Sequence, residues 1–297
     1  MRLQMLQVAR LAPNLLHDSA DSVAQFIQAQ HHASGGFIDR DGRADLYYTV
    51  FGLECLIALQ RDLPLDDLAR YVRTIDAAKL DFVHTGCFAR CFSVLRRGGH
   101  AVDENQLKAL ADQLEKWRTP DGGYSGATGA TQGSAYGCFL AAAALQDLGL
   151  DDRIDRDAIG DCLGRLAVGD GSYTNGEEIP LGNTPATAAA VTLAHQFAFP
   201  IDQAKSRQWL LERCHAGGGF FALPEAPLPD LLSTAVALHA LSTLKADIDA
   251  IREPCLDFID TLWTSRGSFY SNWADEDDAL DTEYTWYALL ALGHLSV

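Results

Sequence analysis

The sequence is short of positive charge. Lys and Arg number 23 against 40 Asp and Glu, a formal net charge of −17. Nucleic acid and anionic membrane surfaces are polyanions, so neither is expected as a partner. The chain has no CxxC pair, and its seven cysteines are odd in number and scattered. Over 297 residues, that pattern implies reduced thiols and a cytoplasmic protein rather than a disulfide framework. The opening stretch, MRLQMLQVARLAP, holds no apolar run of signal-peptide length. No segment approaches the unbroken apolar length of a membrane span. The GxSxG elbow, the P-loop, the dinucleotide fingerprint and HExxH are all missing.

What the chain does have is repetition. A Gly-Gly-aromatic or Gly-Ser-aromatic marker stands at Gly35-Gly36-Phe37, Gly122-Gly123-Tyr124, Gly171-Ser172-Tyr173, Gly218-Gly219-Phe220 and Gly267-Ser268-Phe269. Successive markers start 87, 49, 47 and 49 residues apart. The first interval is nearly double, so it should hide a unit without the marker. The segment Asp81 to Leu95, DFVHTGCFARCFSVL, fits that unit.

Each marker is followed by a loop and then an Ala- and Leu-rich helix. Aligning these helices places anchors at Thr49, Thr85, Ala135, Thr187, Thr234 and Thr285. Four residues before the anchors stand Asp45, Asp81, Thr131, Asn183, Asp230 and Asp281. All are residue types whose side-chain oxygens cap a helix N-terminus. These helices are apolar nearly all round and should be buried. The helices before the markers are amphipathic: Ser19 to Gln30, Asp66 to Ile75, Glu104 to Trp117 and Asp202 to Cys214. Six alternations of outer and inner helix predict an all-α fold, an α6/α6 toroid around a central cavity, as one domain over 1–297.

The pattern of Gly-Gly-aromatic, loop, Asp-x-x-[Ser/Thr]-Thr and Ala/Leu-rich helix resembles the repeat of protein prenyltransferase β subunits and squalene/terpene cyclases. Gly218 to Leu241 matches best. The resemblance implies a pocket at the inner-helix N-termini, often for an isoprenoid chain. In the prenyltransferases it would also imply zinc held by Asp-x-Cys and by a His in Asp-Phe-x-His-Thr. Asp81 to Thr85 matches the second element. The slot for the Cys holds Tyr47, Val83, Gly133, Pro185, Leu232 and Glu283, so zinc is not expected. The resemblance also leads one to look for a diphosphate-binding Arg in the copy Gly-Gly-Tyr to Ser-Ala-Tyr136, and none is there. Arg43 and Arg90 are the nearby basic candidates, with Arg90 read as a salt-bridge partner of an N-cap Asp.

Class II terpene cyclases carry Asp-x-Asp-Asp-Thr, whose acid protonates an alkene while aromatic rings stabilise the cation. Asp275 to Asp278 is a literal DxDD, six residues ahead of the repeat register. In register, the sixth copy offers Asp281-Thr282-Glu283-Tyr284-Thr285. The candidate acids are therefore Asp277, Asp278 and Glu283, with Asp281 beside them. The bland alternative is a solvated acidic loop followed by an N-cap. A weak Mg2+ at Asp275, Asp277 and Asp278 is the one cofactor the loop leaves open. If the ring closes, Tyr47, Tyr48, Trp273, Tyr284, Trp286 and Tyr287 surround these carboxylates, with His84, Arg90 and Tyr136 as further substrate contacts.

The leading expectation is an isoprenoid-handling enzyme of cyclase-like chemistry. Prenyl transfer with a partner subunit, and a non-catalytic toroid that binds a hydrophobic ligand or a protein, stay open beside it.

Overall fold

The computed structural model describes residues 1–176, 180–276 and 279–297. Two short helices, α1 (Arg2–Ala9) and α2 (Pro13–Leu16), precede the repeats. The outer helices are α3 (Ser19–Ala29), α5 (Leu65–Val72), α7 (Glu104–Leu114), α9 (Arg156–Leu166), α11 (Gln203–Leu211) and α13 (Asp249–Thr261). The inner helices are α4 (Leu46–Ala58), α6 (Phe82–Arg97), α8 (Ala135–Leu148), α10 (Thr184–Phe197), α12 (Leu231–Thr243) and α14 (Thr282–Leu295). Each inner helix packs on the next, and α14 packs on α4, so the ring closes as an α6/α6 toroid. Strand structure among the described residues is limited to a small hairpin, β1 (Phe37–Ile38) with β2 (Ala44–Asp45), and isolated bridges.

The repeat motif works through one hydrogen-bonded knot. The anchor threonine hydroxyl donates to the carbonyl of its own N-cap, as from Thr234 Oγ1 to Asp230 O (2.7 Å). The same oxygen accepts the N–H of the marker aromatic, as from Phe220 N (2.9 Å). The first copy repeats this with Phe37 N on Thr49 Oγ1 (2.8 Å), and the fourth donates Tyr173 N to Thr187 Oγ1 (3.0 Å). The second copy has no marker, and a side chain substitutes. Gln113 of α7 donates to Thr85 Oγ1 (3.3 Å) and to Leu80 O (3.1 Å).

The first glycine of each marker does a separate job. Gly218 has φ +87, and a Cβ there would stand 1.8 Å from Pro254 O of α13. Gly267 has φ +84, and its Cβ would stand 2.3 Å from Ser22 O of α3. The outer layer therefore closes on itself as the inner one does. Gly35, Gly122 and Gly171 meet α5, α9 and α11 in the same way.

One copy departs from the expected register. The N-cap of α8 is Ser134, whose side chain accepts from Gly137 N, and not Thr131. The anchor accordingly moves from Ala135 to Cys138, whose sulfur stands 3.9 Å from Cys162 Sγ of α9. Ser and Thr are both N-cap types, and the loop before α8 holds both, so residue type alone did not fix the register. The slot assigned to Gly133 belongs to Tyr136. The other five caps, Asp45, Asp81, Asn183, Asp230 and Asp281, stand where expected.

The helix α1 lies outside the repeat and packs on α14 and α4. A Cβ at Gly293 would lie 2.2 Å from Val8 O, so the approach is close. Arg2 Nη1 reaches Asp147 of α8 at 2.9 Å. This helix covers the end of the ring that holds the inner-helix C-termini.

The glycine contacts make a stability prediction. Gly218→Ala combines a left-handed backbone with backbone overlap and should cost about 3 kcal/mol or more. Gly129→Ala has φ +76 but nothing within 4 Å. It should cost only about 1 kcal/mol. Denaturant unfolding of the two variants reads the difference, and equal losses would show that the inter-repeat contact carries no weight.

Candidate functional site

A cavity of about 1150 Å3 runs down the middle of the ring. Its lining follows the helical period, counted from each N-cap. Two residues past the caps stand Tyr47, Val83, Tyr136, Pro185 and Leu232. A turn deeper come Phe51, Cys87, Leu140, Ala189, Val236, Trp286 and Tyr287. Nine residues past the caps stand Glu54, Thr192 and His239, and α1 adds Arg2 and Met5. At 1.5 Å per residue the first and last levels are about 10 Å apart. The waist is apolar and aromatic, and both ends are polar.

The mouth carries the carboxylates. Asp281 caps α14 by accepting from Tyr284 N (2.9 Å) and is paired with Arg40 Nη2 at 2.8 Å. Burial nevertheless holds its pKa above the ordinary carboxylate value. Glu283 accepts a 2.6 Å hydrogen bond from Tyr47 Oη. Burial, with Asp281 nearby adding to it, raises Glu283 to about 7 against the Tyr47 hydrogen bond and Arg40. The helix N-terminus favours the ionised form, yet desolvation is the larger effect here. Burial also pushes the Tyr47 phenol far above its usual value.

A second ionic group lies along the rim on α4 and α6. His84 Nε2 meets Asp45 Oδ2 at 3.1 Å, and its Nδ1 meets Asp81 Oδ1 at 2.9 Å. The hydrogen bond to Asp45, then that to Asp81, raises His84 to about 9. The imidazolium is thus held between two N-cap carboxylates, with no nitrogen left to ligate a metal.

The expected residues divide between cavity and surroundings. Tyr47, Tyr136, Trp286 and Tyr287 line the cavity. Tyr136 is 40% exposed, and that exposure is into the cavity. Glu283 stands behind Tyr47 rather than in the wall. Tyr48 and Tyr284 flank Asp281 and Arg40, with the Arg40 guanidinium 5.7 Å from the Tyr284 ring. Trp273 is 43% exposed and bonds Thr261 Oγ1 (2.9 Å), away from the cavity lining. Asp277 and Asp278 lie outside the described residues, and with them the proposed Mg2+ set. Asp275 accepts from Ser271 N (2.7 Å).

Arg90 corrects the expectation attached to it. It is 2% exposed and pairs with Glu54 (2.7 Å) and Asp147 (2.9 Å), neither of which is an N-cap. Residue 90 is nine positions past its cap, about 13 Å down the helix, so no cap is within reach. Sequence reasoning missed Glu54 and His239 altogether. Their signal was a polar residue at a fixed distance from the cap inside an otherwise apolar helix.

The model of the prenyltransferase α/α-toroid domain matches residues 3–86, 87–193 and 186–295, nearly the whole chain. The chain belongs to the prenyltransferase α/α-toroid family. No curated protein sequence matches it significantly. Among solved structures, protein geranylgeranyltransferase-I of Candida albicans, in complex with GGPP, is similar at TM-score 0.59 and 14% identity, over 75% of this chain and 73% of that one. The type II terpene cyclase MstE of Scytonema, an aspartate-to-alanine form with its product merosterolic acid A, is similar at TM-score 0.61 and 14% identity, over 96% and 97%. A protein from Actinoplanes reaches TM-score 0.59 and 16% identity, over 94% and 98%. At these identities the likeness is one of fold. No helix among the described residues is long and apolar enough to cross a membrane.

Both mouth groups lose stability as pH rises, each over its own window. The folded pKa of His84, about 9, lies above the ordinary 6.5. Its contribution is full below 6.5 and is lost as pH rises through 9. The folded pKa of Glu283, about 7, lies above the ordinary 4.5. The unfolded chain releases that proton first, so stability falls from pH 4.5 to 7 and is then level. In urea titrations across pH, Glu283→Gln should flatten the fall between 4.5 and 7. His84→Ala should be most destabilised below 6.5 and close to the parent at pH 10.

Proposed function

We propose that the protein carries out acid-initiated, cyclase-like chemistry on an isoprenoid held in the central cavity, with Glu283 as the source of the proton. The observation that carries this reading is the 2.6 Å hydrogen bond between Tyr47, which lines the cavity, and a Glu283 carboxyl raised to about 7. A carboxylic acid whose pKa lies near the working pH is suited to general acid catalysis. The ligand class is supported by the similar solved structures, which hold GGPP and terpene-cyclase ligands.

The proton path runs through the tyrosine. With Glu283 protonated, its hydroxyl donates to Tyr47 Oη in place of the reverse bond. As the Tyr47 hydroxyl gives its proton to an alkene carbon, Tyr47 Oη takes the proton of Glu283. Glu283 is left ionised, Tyr47 neutral, and the substrate a carbocation. Burial strongly disfavours a free phenolate at Tyr47, so the two transfers must be concerted. The cation forms against Tyr47, Phe51, Trp286 and Tyr287, whose ring faces attract positive charge. Loss of a proton from the final cation back along the same path restores the acid, and the net reaction is an isomerisation. No metal or cofactor enters the scheme. Asp281, tied to Arg40, acts through Glu283 by holding its pKa up.

Prenyl transfer has less support. The slot that would hold a zinc-binding Cys has none at the six inner-helix starts. Cys87, in the cavity wall, is pushed by burial to about 12 and stays a thiol. A catalytically silent toroid would have no use for a carboxyl held near neutrality at its mouth.

The test is product formation from a C15 to C30 polyprenyl substrate, followed by gas chromatography with mass detection. Glu283→Gln should lower turnover by about 10²- to 10⁴-fold, and Tyr47→Phe by a similar factor. Both variants should stay folded by circular dichroism. The parent rate should fall as pH rises through about 7, since the acid form is then lost. Full activity in Glu283→Gln would refute the acid assignment.

A further inference from the structure

Two phenol hydroxyls in the cavity wall are left over from the acid chemistry. Tyr287, on α14, lines the cavity and is 9% exposed. Its ring packs on Phe51 (5.7 Å between centroids), and Phe51 packs on Tyr47 (4.9 Å). Tyr136, on α8, lines the cavity from the opposite side, three helices around the ring from α14. Neither hydroxyl has a hydrogen-bond partner among the described residues. Neither is sealed off from the cavity, since the buried side-chain atoms without a partner belong to His31, Arg207 and His239. Tyr47 differs, because its hydroxyl is bonded to Glu283 (2.6 Å).

A phenol hydroxyl both donates and accepts. Against hydrocarbon alone, each would lose its hydrogen bonds without replacement, at a cost of about 1–3 kcal/mol. An oxygen has to meet them. Burial keeps both phenols protonated, since it holds Tyr287 well above its usual value and raises Tyr136 to about 12. Among charged groups, Glu283 acts on both, Glu54 on Tyr287 and Arg2 on Tyr136. A neutral oxygen is compatible with all three. A polyprenyl hydrocarbon brings no oxygen of its own. Water does, and a roomy cavity with polar groups on two walls suits it.

We infer that Tyr136 and Tyr287 hold water beside the cation formed at Tyr47, so that part of the product is a tertiary alcohol. This rests on the acid reading given above and adds a second ending to it. The alkene takes the proton of Tyr47 as Tyr47 takes that of Glu283. The oxygen of the held water then bonds to the cationic carbon and sheds a proton. That proton returns to Glu283 by way of Tyr47. The acid is restored, and the net change is alkene plus water to alcohol.

The test uses two oxygen-free polyenes, β-farnesene and squalene, in water enriched in heavy oxygen. Mass detection should show an alcohol carrying one heavy oxygen beside the isomerised alkene. Tyr136→Phe and Tyr287→Phe keep the rings and should each lower the ratio of alcohol to alkene by about tenfold, the effect of one buried hydrogen bond. The ratio reads water capture however far the total rate falls. A product free of heavy oxygen, or a ratio that neither substitution moves, overturns the inference. A second arm needs no turnover. Farnesane and its tertiary alcohol are titrated by tryptophan fluorescence, to which Trp286 in the wall contributes. The alcohol should bind the parent about tenfold more tightly, and the difference should vanish in Tyr287→Phe. Equal binding by the parent overturns the subsite without any variant having to fold. A preference for the alcohol with no heavy oxygen in the product assigns the subsite to an oxygen of the substrate, and overturns the held water. The two readings fail separately. Alkene without alcohol leaves the acid at Glu283 and removes the water. No product, with the preference for the alcohol intact, removes the acid and the hydration and leaves the oxygen subsite.

Discussion

The ring depends on a close approach of backbones between successive outer helices. At each marker the chain leaves an outer helix through a left-handed glycine, and at Gly218 the space for a side chain is already filled by Pro254 O. In the first, fourth and fifth copies the marker aromatic then gives its N–H to the anchor threonine of the inner helix. One short turn therefore joins three helices: the outer helix it ends, the next outer helix it touches and the inner helix it caps. Five such turns plus the Gln113 substitute set the tilt between copies. The sixth copy meets the first at Gly267 and Ser22 in the outer layer and at Glu283 and Tyr47 in the inner one. Closure places residues more than 200 positions apart at one mouth, and so the site exists only in the closed ring.

Closure also explains why buried charge is tolerated. Arg90, Glu54, Asp147 and Arg2 come from α6, α4, α8 and α1. Desolvating such a set is expensive, and an apolar replacement could be as stable. What the charges add is position, since hydrogen bonds of 2.7 and 2.9 Å fix α4, α6 and α8 at one level and hold α1 across the end of the ring. The N-terminal helix then turns an open ring into a closed-ended pocket.

The parts of this arrangement that were legible from sequence are those made by local chemistry. Glycine before an aromatic, and Asp or Asn four residues ahead of Thr, are turn and cap chemistry that needs no partner to be recognised. The same logic failed at α8, where Ser134 does the capping that Thr131 could have done, and where Cys138 replaces the threonine hydroxyl with a sulfur. Arg90 was visible but its partners were not, because they lie on two other helices at the same depth. Glu54 and His239 read as ordinary members of apolar helices until the level counted from each cap is compared across copies. The helix α1 has no repeat pattern, so no count of copies could place it.

The site is governed by two desolvations with different outcomes. At the mouth, the Glu283 carboxyl has one phenol and a helix N-terminus on its side, and still burial beside Asp281 lifts it to about 7. At the rim, His84 is also partly desolvated, but two carboxylates outweigh that and keep it charged. The difference lies in the balance: at Glu283 desolvation, with Asp281 adding to it, outweighs the phenol and Arg40, and at His84 two carboxylates outweigh desolvation. Opposite charges at the rim are therefore paired, while Glu283, bonded to a residue of the cavity wall, is poised between its two protonation states. A wall of Phe51, Trp286 and Tyr287 next to that group favours a transient positive charge over a resident one, because the rings attract a cation without neutralising it.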